Sequence, residues 1–289
     1  MSRSFSEELR LEWVGDDASP CYRGELSDDW SFRSPSGGLL SALGVAAMRE
    51  ELRRLGNPER ASLSCTATFC AVVPAGAVRV EVTPLRIGNA VSQLRAGVFS
   101  VETGELGLEV SASFGVPRKG PEFCAVQFPE VRALGASPQG SGGVPFAPGV
   151  VPRFFQRFEA RRAAGNDLWS SDWSAGEAHH ARWVRFLDEP RSADGKLEPL
   201  SLVALADTMP PSVVQYLGPG FEPFIAPSLD LTVHLVQSTV RPWLLCSARA
   251  RVAFRGYASA EIEIWDDEEN LLAFGTQVML FRKPPKNLP

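Results

Sequence analysis

The sequence predicts an α+β fold in which two tandem units each wrap a helix in an antiparallel sheet, with the two sheets joined edge to edge. Two observations lead to this prediction. Short landmarks recur in the same order in both halves of the 289-residue chain. In the first half, a candidate helix precedes a run of strand patterns. Joining the sheets would cover edge strands that otherwise invite aggregation.

The repeat is visible in order and spacing rather than in residue identity. Three pairs of landmarks have nearly the same offset, between 164 and 168 residues: Ser62 with Ser228, Gly88 with Gly256, and Arg118-Lys119 with Arg282-Lys283. The two glycines lie between strand-like runs, where a turn or bulge needs a permissive backbone. A repeated supersecondary unit therefore explains the length of the chain better than one large domain does.

The first unit contains a predicted amphipathic helix, roughly Gly37 to Leu55. Ser34-Pro35-Ser36 precedes it and Gly56-Asn57-Pro58 follows it, which are residue types that favour helix starts and ends. Apolar residues recur along it at helical spacing, and its far end is charged. One face of this helix should therefore be buried.

Strands follow in both units because apolar and polar residues alternate with a period of two. The predicted strands are Ala77 to Thr83, Val98 to Glu102, Leu106 to Phe114, Leu229 to Leu235, Leu244 to Phe254, Ala258 to Trp265 and Leu271 to Phe281, and Phe154 to Arg162 opens the second sheet. Between the units, Gly, Pro and Ser dominate, which is typical of a linker without a core of its own. We divide the chain into an N-terminal unit (1–120), a linker (121–151) and a C-terminal unit (152–289).

Composition and charge exclude several classes of protein. The formal net charge of −5 and pI near 5.4 argue against binding to nucleic acid, which normally needs a basic face. The five cysteines are scattered without zinc-ligand spacing, so we expect no metal and a reducing cytoplasm. The first residues have no apolar signal region and no run is long enough to span a membrane, so we expect no membrane association.

Two groups of motifs resemble the acyl-CoA thioesterase II family, whose members are double-hotdog proteins. The first group, Ser31 to Leu39 and Arg86 to Asn89, resembles the first hotdog of that family, where a Gly-Gly pair (here Gly37 and Gly38) opens the central helix. The second group resembles the second hotdog: Leu205 to Pro211, Ser228 to Asp230, Trp243 to Leu245 and Thr276 to Val278. The resemblance implies hydrolysis of acyl-CoA. We expect no cofactor, and the oligomeric state stays open, with a homo-oligomer as one alternative.

The resemblance also implies a catalytic site made of Asp207, Ser228 and Gln277. Ser228 stands where the family has Thr or Ser, and the proline-rich stretch after Asp207 predicts a short or irregular second helix. Chemically, a carboxylate can take a proton from water, while a hydroxyl and an amide can hold the same water molecule. Backbone N–H groups near Gly37 and Gly38, or after Asp207, are candidate donors to the substrate's developing oxyanion.

Simpler interpretations of these residues are also open. Asp207 can cap a helix, Ser228 can share a solvent-facing strand side with Asp230, Thr232 and His234, and Gln277 can satisfy its amide structurally. The first unit has no acid or amide at the corresponding places, about Ser41, Ser62 and Ser113, which limits the chain to one site. The adjacent pair His179-His180 and the lone His234 are weak candidates for a functional role.

Two other functions also remain open. A non-catalytic hotdog that binds acyl-CoA or an acyl chain is the principal alternative, and a dehydratase is a third. The dehydratase normally needs a histidine beside an acid, and no histidine of the sequence is a convincing partner for Asp207.

Overall fold

One antiparallel sheet of 13 strands runs through the computed structural model, which describes residues 3–140, 151–168, 170, 172–219 and 224–282. The strands are β1 (Glu12–Trp13), β2 (Cys21–Leu26), β3 (Ala61–Phe69), β4 (Gly76–Ile87), β5 (Val91–Ser100), β6 (Leu106–Gly115), β7 (Gln139–Gly140), β8 (Phe158–Ala164), β9 (His179–Phe186), β10 (Ser228–Leu235), β11 (Leu244–Phe254), β12 (Tyr257–Asp266) and β13 (Leu271–Leu280). Their order across the sheet is β1-β2-β4-β5-β6-β3-β10-β13-β12-β11-β9-β8-β7. The predicted strands all exist, mostly with longer ends.

The two units meet where β3 pairs with β10, so the prediction of two sheets joined edge to edge is confirmed. Thr66 pairs with Thr232 there, and their hydroxyl oxygens lie 3.1 Å apart. On the helix side, the Cα of Gly38 faces the backbone of Ala204. Each of these contacts joins residues 166 positions apart, which is the offset of the repeat. A pseudo-twofold axis therefore passes through both contacts.

Each half of the sheet curves around helical segments. The helices are α1 (Phe5–Glu8), α2 (Gly37–Arg54), α3 (Leu200–Ala206) and α4 (Pro210–Leu217). The 18-residue α2 matches the predicted helix to within one residue, and its apolar face packs on β3 to β6. In the second unit the helix is broken in two, as the prolines after Asp207 predict, because Pro210 and Pro211 cannot donate backbone hydrogen bonds to the preceding turn.

The start of the second sheet differs from the prediction. Residues Arg153–Arg157 form a 3-10 helix, and the strand begins only at Phe158. Phe154 and Phe155 are both buried although they are neighbours, and both contact Phe32. A strand would have pointed them to opposite faces, so packing on the N-terminal unit overrides the alternating pattern.

Part of the predicted linker contributes to a core, contrary to expectation. Phe128, Val131 and Leu134 pack against a second apolar cluster on the outer face of the C-terminal half-sheet, which includes Trp183 and Trp265. Aromatic side chains bury a large apolar area, so a few of them can hold this otherwise polar segment against the sheet. Residues 141–150 of the predicted linker, and Lys283 of the repeat, lie outside the described residues.

No helix among the described residues combines the length and apolar character needed to cross a lipid bilayer.

Candidate active site

The three predicted site residues lie within hydrogen-bonding distance of one another. The Ser228 hydroxyl donates to Asp207 Oδ1 at 2.9 Å, and Gln277 Nε2 donates to the same oxygen at 2.6 Å. Gln277 Nε2 also donates to Ser228 Oγ at 2.6 Å. Residues 21 and 70 positions apart from Asp207 in the sequence therefore form one polar cluster.

Asp207 lies in the break between α3 and α4 rather than at a helix start. The apolar run Leu200–Ala206 is already helical, so Asp207 ends α3, and Met209 is the residue that precedes α4. Asp207 therefore does not cap the N-terminus of either helix in its own unit. Its side chain instead points at α2 of the other unit, where Gly38 N–H donates to Asp207 Oδ2 at 3.0 Å.

The Gly37-Gly38 pair allows this close approach. A Cβ atom on Gly38 would lie 2.8 Å from backbone atoms of Ala204 and Val203, and one on Gly37 would lie 2.7 Å from the Phe69 ring and 3.1 Å from Asp207 Oδ2. Ordinary side chains would therefore push α2 away from the carboxylate. The partial positive charge of the N-terminus of α2 also favours the ionised form of Asp207. Because Gly38 N–H already binds Asp207, its predicted role as an oxyanion donor stays a prediction.

A β-bulge turns Ser228 toward the cluster. Ser228 is opposite Met279, and Leu231 is opposite Gln277. Two residues therefore separate Ser228 from Leu231 on β10, whereas only one residue separates Met279 from Gln277 on β13. This extra residue shifts the alternation, and Ser228 shares the core face with Leu231 rather than the outer face with Asp230. The expectation that Ser228 shares a side with Asp230, Thr232 and His234 is therefore wrong.

Gln277 is buried on the core face of β13, with 1% of its surface exposed. Its amide nitrogen donates to both Asp207 and Ser228. Its carbonyl oxygen, Oε1, is also buried, and no described residue donates to it. A buried acceptor that no donor satisfies is costly, so this oxygen is an unusual feature of the core.

Burial raises the pKa of Asp207 above its ordinary value, and this effect exceeds that of the hydrogen bonds. The hydrogen bonds from Gly38, Ser228, Gln277 and Gly37 act in the opposite direction and lower the pKa. A carboxylate that is kept from water but remains hydrogen bonded is a stronger base than an exposed one.

Asp207 and Ser228 line a cavity of about 490 Å³ between the two units. Four aromatic side chains that were not among the predicted site residues line it as well: Phe32, Phe69, Phe155 and Phe224. They come from both units, and only folding brings them together. Arg33 contributes a positive charge to the same wall. The cavity is within the usual size range for a small-molecule site.

The corresponding positions of the N-terminal unit contain no carboxylate and no amide. Ser41 donates to the Gly37 carbonyl within α2, and Ser62 stands directly before an equivalent bulge in β3. Cys65 of the first unit corresponds to Leu231 of the second. Because Leu231 is opposite Gln277 and Cys65 is opposite Ala112, the counterpart of Gln277 is Ala112 and not the predicted Ser113. The first unit therefore supplies the glycine pair and part of the cavity wall.

The three histidines lie outside this cavity wall. His179 contacts the Ser247 hydroxyl at 3.0 Å, and His234 stacks on Phe274. Burial lowers the pKa of His179 to about 4 and that of His180 to about 3, so both rings are neutral near pH 7. In the described ranges, no cluster of three or more potential ligand side chains is arranged to hold a metal ion.

Solved structures similar to this chain share the whole architecture. A hotdog-fold protein from Alicyclobacillus acidocaldarius is 22% identical with a TM-score of 0.76, over 99% of this chain and 100% of its own. An acyl-CoA thioesterase II from Mycobacterium marinum is 20% identical with a TM-score of 0.74, over 97% of this chain and 99% of its own. At these identities the likeness establishes the double-hotdog fold. The dehydratase domain of RzxB from Pseudomonas fluorescens has a similar fold at 14% identity and a TM-score of 0.61, over 96% of this chain and 98% of its own, so fold alone does not define the reaction.

Family profiles identify the reaction class. The profile of the acyl-CoA thioesterase N-terminal domain matches residues 26–115, and that of the C-terminal domain matches residues 130–281. No curated protein matches the chain significantly. The two matched regions together cover most of the sequence; the first lies within the N-terminal unit, and the second begins at residue 130, inside the predicted linker, and extends to residue 281. The chain therefore belongs to the acyl-CoA thioesterase family and is a thioester hydrolase.

Proposed function

We propose that this protein hydrolyses fatty acyl-CoA or a related acyl thioester with a water molecule that Asp207 activates and that Ser228 and Gln277 orient. The observation that carries the proposal is the hydrogen-bonded cluster of a buried carboxylate, a hydroxyl and an amide, two members of which line an apolar cavity. The raised pKa of Asp207 suits the role of a general base.

Gln277 and Asp207 can hold one water molecule between them. The water donates one proton toward the Asp207 carboxylate and the other to Gln277 Oε1, the buried acceptor that no described residue satisfies. Ser228 donates to Asp207 and accepts from Gln277, which keeps the carboxylate and the amide in place. The nucleophile is therefore bound in a fixed orientation before substrate arrives.

Hydrolysis then proceeds without a covalent acyl-enzyme. The water oxygen attacks the thioester carbonyl carbon while Asp207 takes a proton, and a tetrahedral oxyanion forms. When this intermediate collapses, the carbon–sulfur bond breaks, and Asp207 returns the proton to the departing thiolate. The products are a carboxylic acid and free CoA thiol, and Asp207 is ionised again for the next cycle.

The cavity wall supports an acyl chain as the group that is bound. Its aromatic and aliphatic side chains offer an apolar surface to the chain, while Arg33 offers a guanidinium group of the kind that suits phosphate. None of the described residues that line the cavity is a histidine, which disfavours the dehydratase alternative.

The test is an assay of free-thiol release with acyl-CoA substrates of increasing chain length, comparing the wild type with Asp207→Asn. We expect turnover by the wild type and a loss of about 100-fold or more in the variant, because general-base catalysis contributes at least that much. Asn keeps the shape of the side chain, so both proteins should melt cooperatively.

Calorimetry with a non-hydrolysable thioether analogue separates catalysis from binding alone. Binding of the analogue without turnover of any thioester would support the acyl-CoA-binding alternative and refute hydrolysis at this site. Equal turnover by the wild type and Asp207→Asn would refute the role of Asp207.

A further inference from the structure

Asp230 bonds to the strand that carries Gln277. Its carboxylate oxygen Oδ1 accepts the backbone N–H of Val278 at 2.9 Å, and Val278 directly follows Gln277 in β13. Asp230 itself lies one residue beyond Leu229, the extra residue of the bulge in β10. One side chain thus connects the bulge to the backbone next to the amide of the site.

The bulge determines whether Ser228 can reach its partners. In an unbroken strand, Ser228 and Leu231 would lie on opposite faces because they are three residues apart. The bulge instead puts Ser228 opposite Met279, a core residue, two positions from Gln277. The Ser228–Gln277 distance therefore depends on the geometry of this short stretch of β10 and β13.

The N-terminal unit has the same bulge with a different side chain. Ser62 and Ser64 flank it in β3, and Ser64 stands at the position of Asp230. The bulge therefore forms without a carboxylate, and the fold does not require Asp230 to produce it. The carboxylate occurs in the unit that contains Asp207 and Gln277.

We propose that Asp230 is a positioning residue for the reaction: its hydrogen bond to Val278 holds the bulge in register, so that Ser228 and Gln277 reach Asp207 together. This inference rests on the proposed function of the Asp207 cluster. Asp230 acts through Ser228 and Gln277 and does not touch the substrate.

The test compares Asp230→Ala, which removes the acceptor, with Asp230→Asn, which keeps an acceptor oxygen without the charge. Loss of one hydrogen bond to a charged group corresponds to about tenfold in rate or more. We expect kcat of Asp230→Ala to fall about tenfold with KM little changed, while Asp230→Asn stays close to the wild type. Ser64→Ala, the matched variant in the first unit, should leave kcat unchanged.

The pH profile distinguishes positioning from electrostatics. The groups that face Asp207 from α2, β10 and β13 are the uncharged donors of Gly38, Ser228 and Gln277, with Arg33 on the same cavity wall. If Ser228 and Gln277 bind Asp207 less tightly, their hydrogen bonds lower its pKa less, and that pKa rises. The acidic limb of kcat against pH should therefore move to higher pH in Asp230→Ala. Removing only the negative charge, as in Asp230→Asn, should leave the limb in place or move it to lower pH.

Three outcomes would overturn the inference: an unchanged kcat in Asp230→Ala, an equal loss in Asp230→Asn, or a limb that moves to lower pH in both. If the wild type hydrolyses no thioester, the proposed function fails, and crystal structures of the wild type and Asp230→Ala decide the inference independently. A Ser228–Gln277 separation beyond hydrogen-bonding distance in the variant would support it, and an unchanged separation would overturn it.

Discussion

The two units of this protein have the same architecture but different chemistry. Both have a bulge at the start of the strand that forms their junction, and both have a serine before it, Ser62 or Ser228. Only the second unit adds a carboxylate and an amide, Asp207 and Gln277, where the first has Ser41 and Ala112. The helix also differs, because α2 is continuous while α3 and α4 are separated by the residues around Asp207. A duplicated fold can therefore keep its packing while one copy alone contains the cluster of carboxylate, hydroxyl and amide.

The first copy is nevertheless part of the site. Its Gly38 donates to Asp207, its glycine pair lets α2 approach α3, and its Phe32 and Phe69 line the cavity. The first unit thus contributes a backbone donor and part of the cavity wall, and the second contributes the carboxylate, hydroxyl and amide. The following variants test this asymmetry, from the largest expected effect to the smallest.

Removing the two equivalent hydroxyl groups should have very different consequences. Ser228→Ala removes a hydrogen bond to a carboxylate, which corresponds to about 10- to 100-fold in kcat. Ser62→Ala should stay within about twofold, since the counterparts of Asp207 and Gln277 in the first unit are Ser41 and Ala112. Steady-state kinetics of both variants check this, and equal losses would contradict the proposed asymmetry.

Gly38→Ala should destabilise the junction between the helices. The new Cβ would lie 2.8 Å from the backbone of Ala204, and backbone cannot move aside as a flexible side chain can. Overpacking of this kind costs about 1–3 kcal/mol, and displacement of α2 should also lower kcat. Gly120→Ala is the control, because a Cβ there meets no atom within 4 Å. Thermal unfolding of both variants is the measurement. Similar melting temperatures would argue against close packing of α2 on α3 at Gly38.

The pH dependence of stability should report the burial of Asp207. Its pKa is raised in the fold, so the folded protein binds this proton more tightly than the unfolded chain does. Stability from this group is therefore lost as pH rises from the ordinary Asp pKa of about 4 through the raised value. Asp207→Asn lacks this loss, and its melting temperature relative to the wild type should increase with pH and then level off. A difference that shrinks with pH would contradict the raised pKa.

We expect the smallest effect on stability from a substitution on the outer face of the second half-sheet. Phe128→Ala removes an edge-to-face contact with Trp265, worth about 1 kcal/mol. Phe123→Ala, five residues earlier, should change stability by less than about 0.5 kcal/mol because that ring is 85% exposed. Denaturant unfolding of the pair checks whether the connecting segment stabilises the second unit, and equal midpoints would show that it does not.

Several features were predictable from the sequence because they depend on local patterns. Helix α2 follows from its flanking Ser, Pro and Gly residues and its apolar spacing, and β11 follows from alternation over Leu244–Phe254. The break after Asp207 follows from two consecutive prolines. Where local pattern and packing disagreed, as at Phe154 and Phe155, the prediction failed because contacts with the other unit decided the conformation.

The sequence by itself determined the two repeated α+β units, the hairpins within them and the residue types available for chemistry. Tertiary structure alone decided that Ser228 faces the core, because a bulge shifts the phase of a strand without a sequence signal strong enough to place it. It also decided that Gly38 of one unit binds Asp207 of the other. Both results depend on contacts between distant parts of the chain, and such contacts are absent from any local pattern.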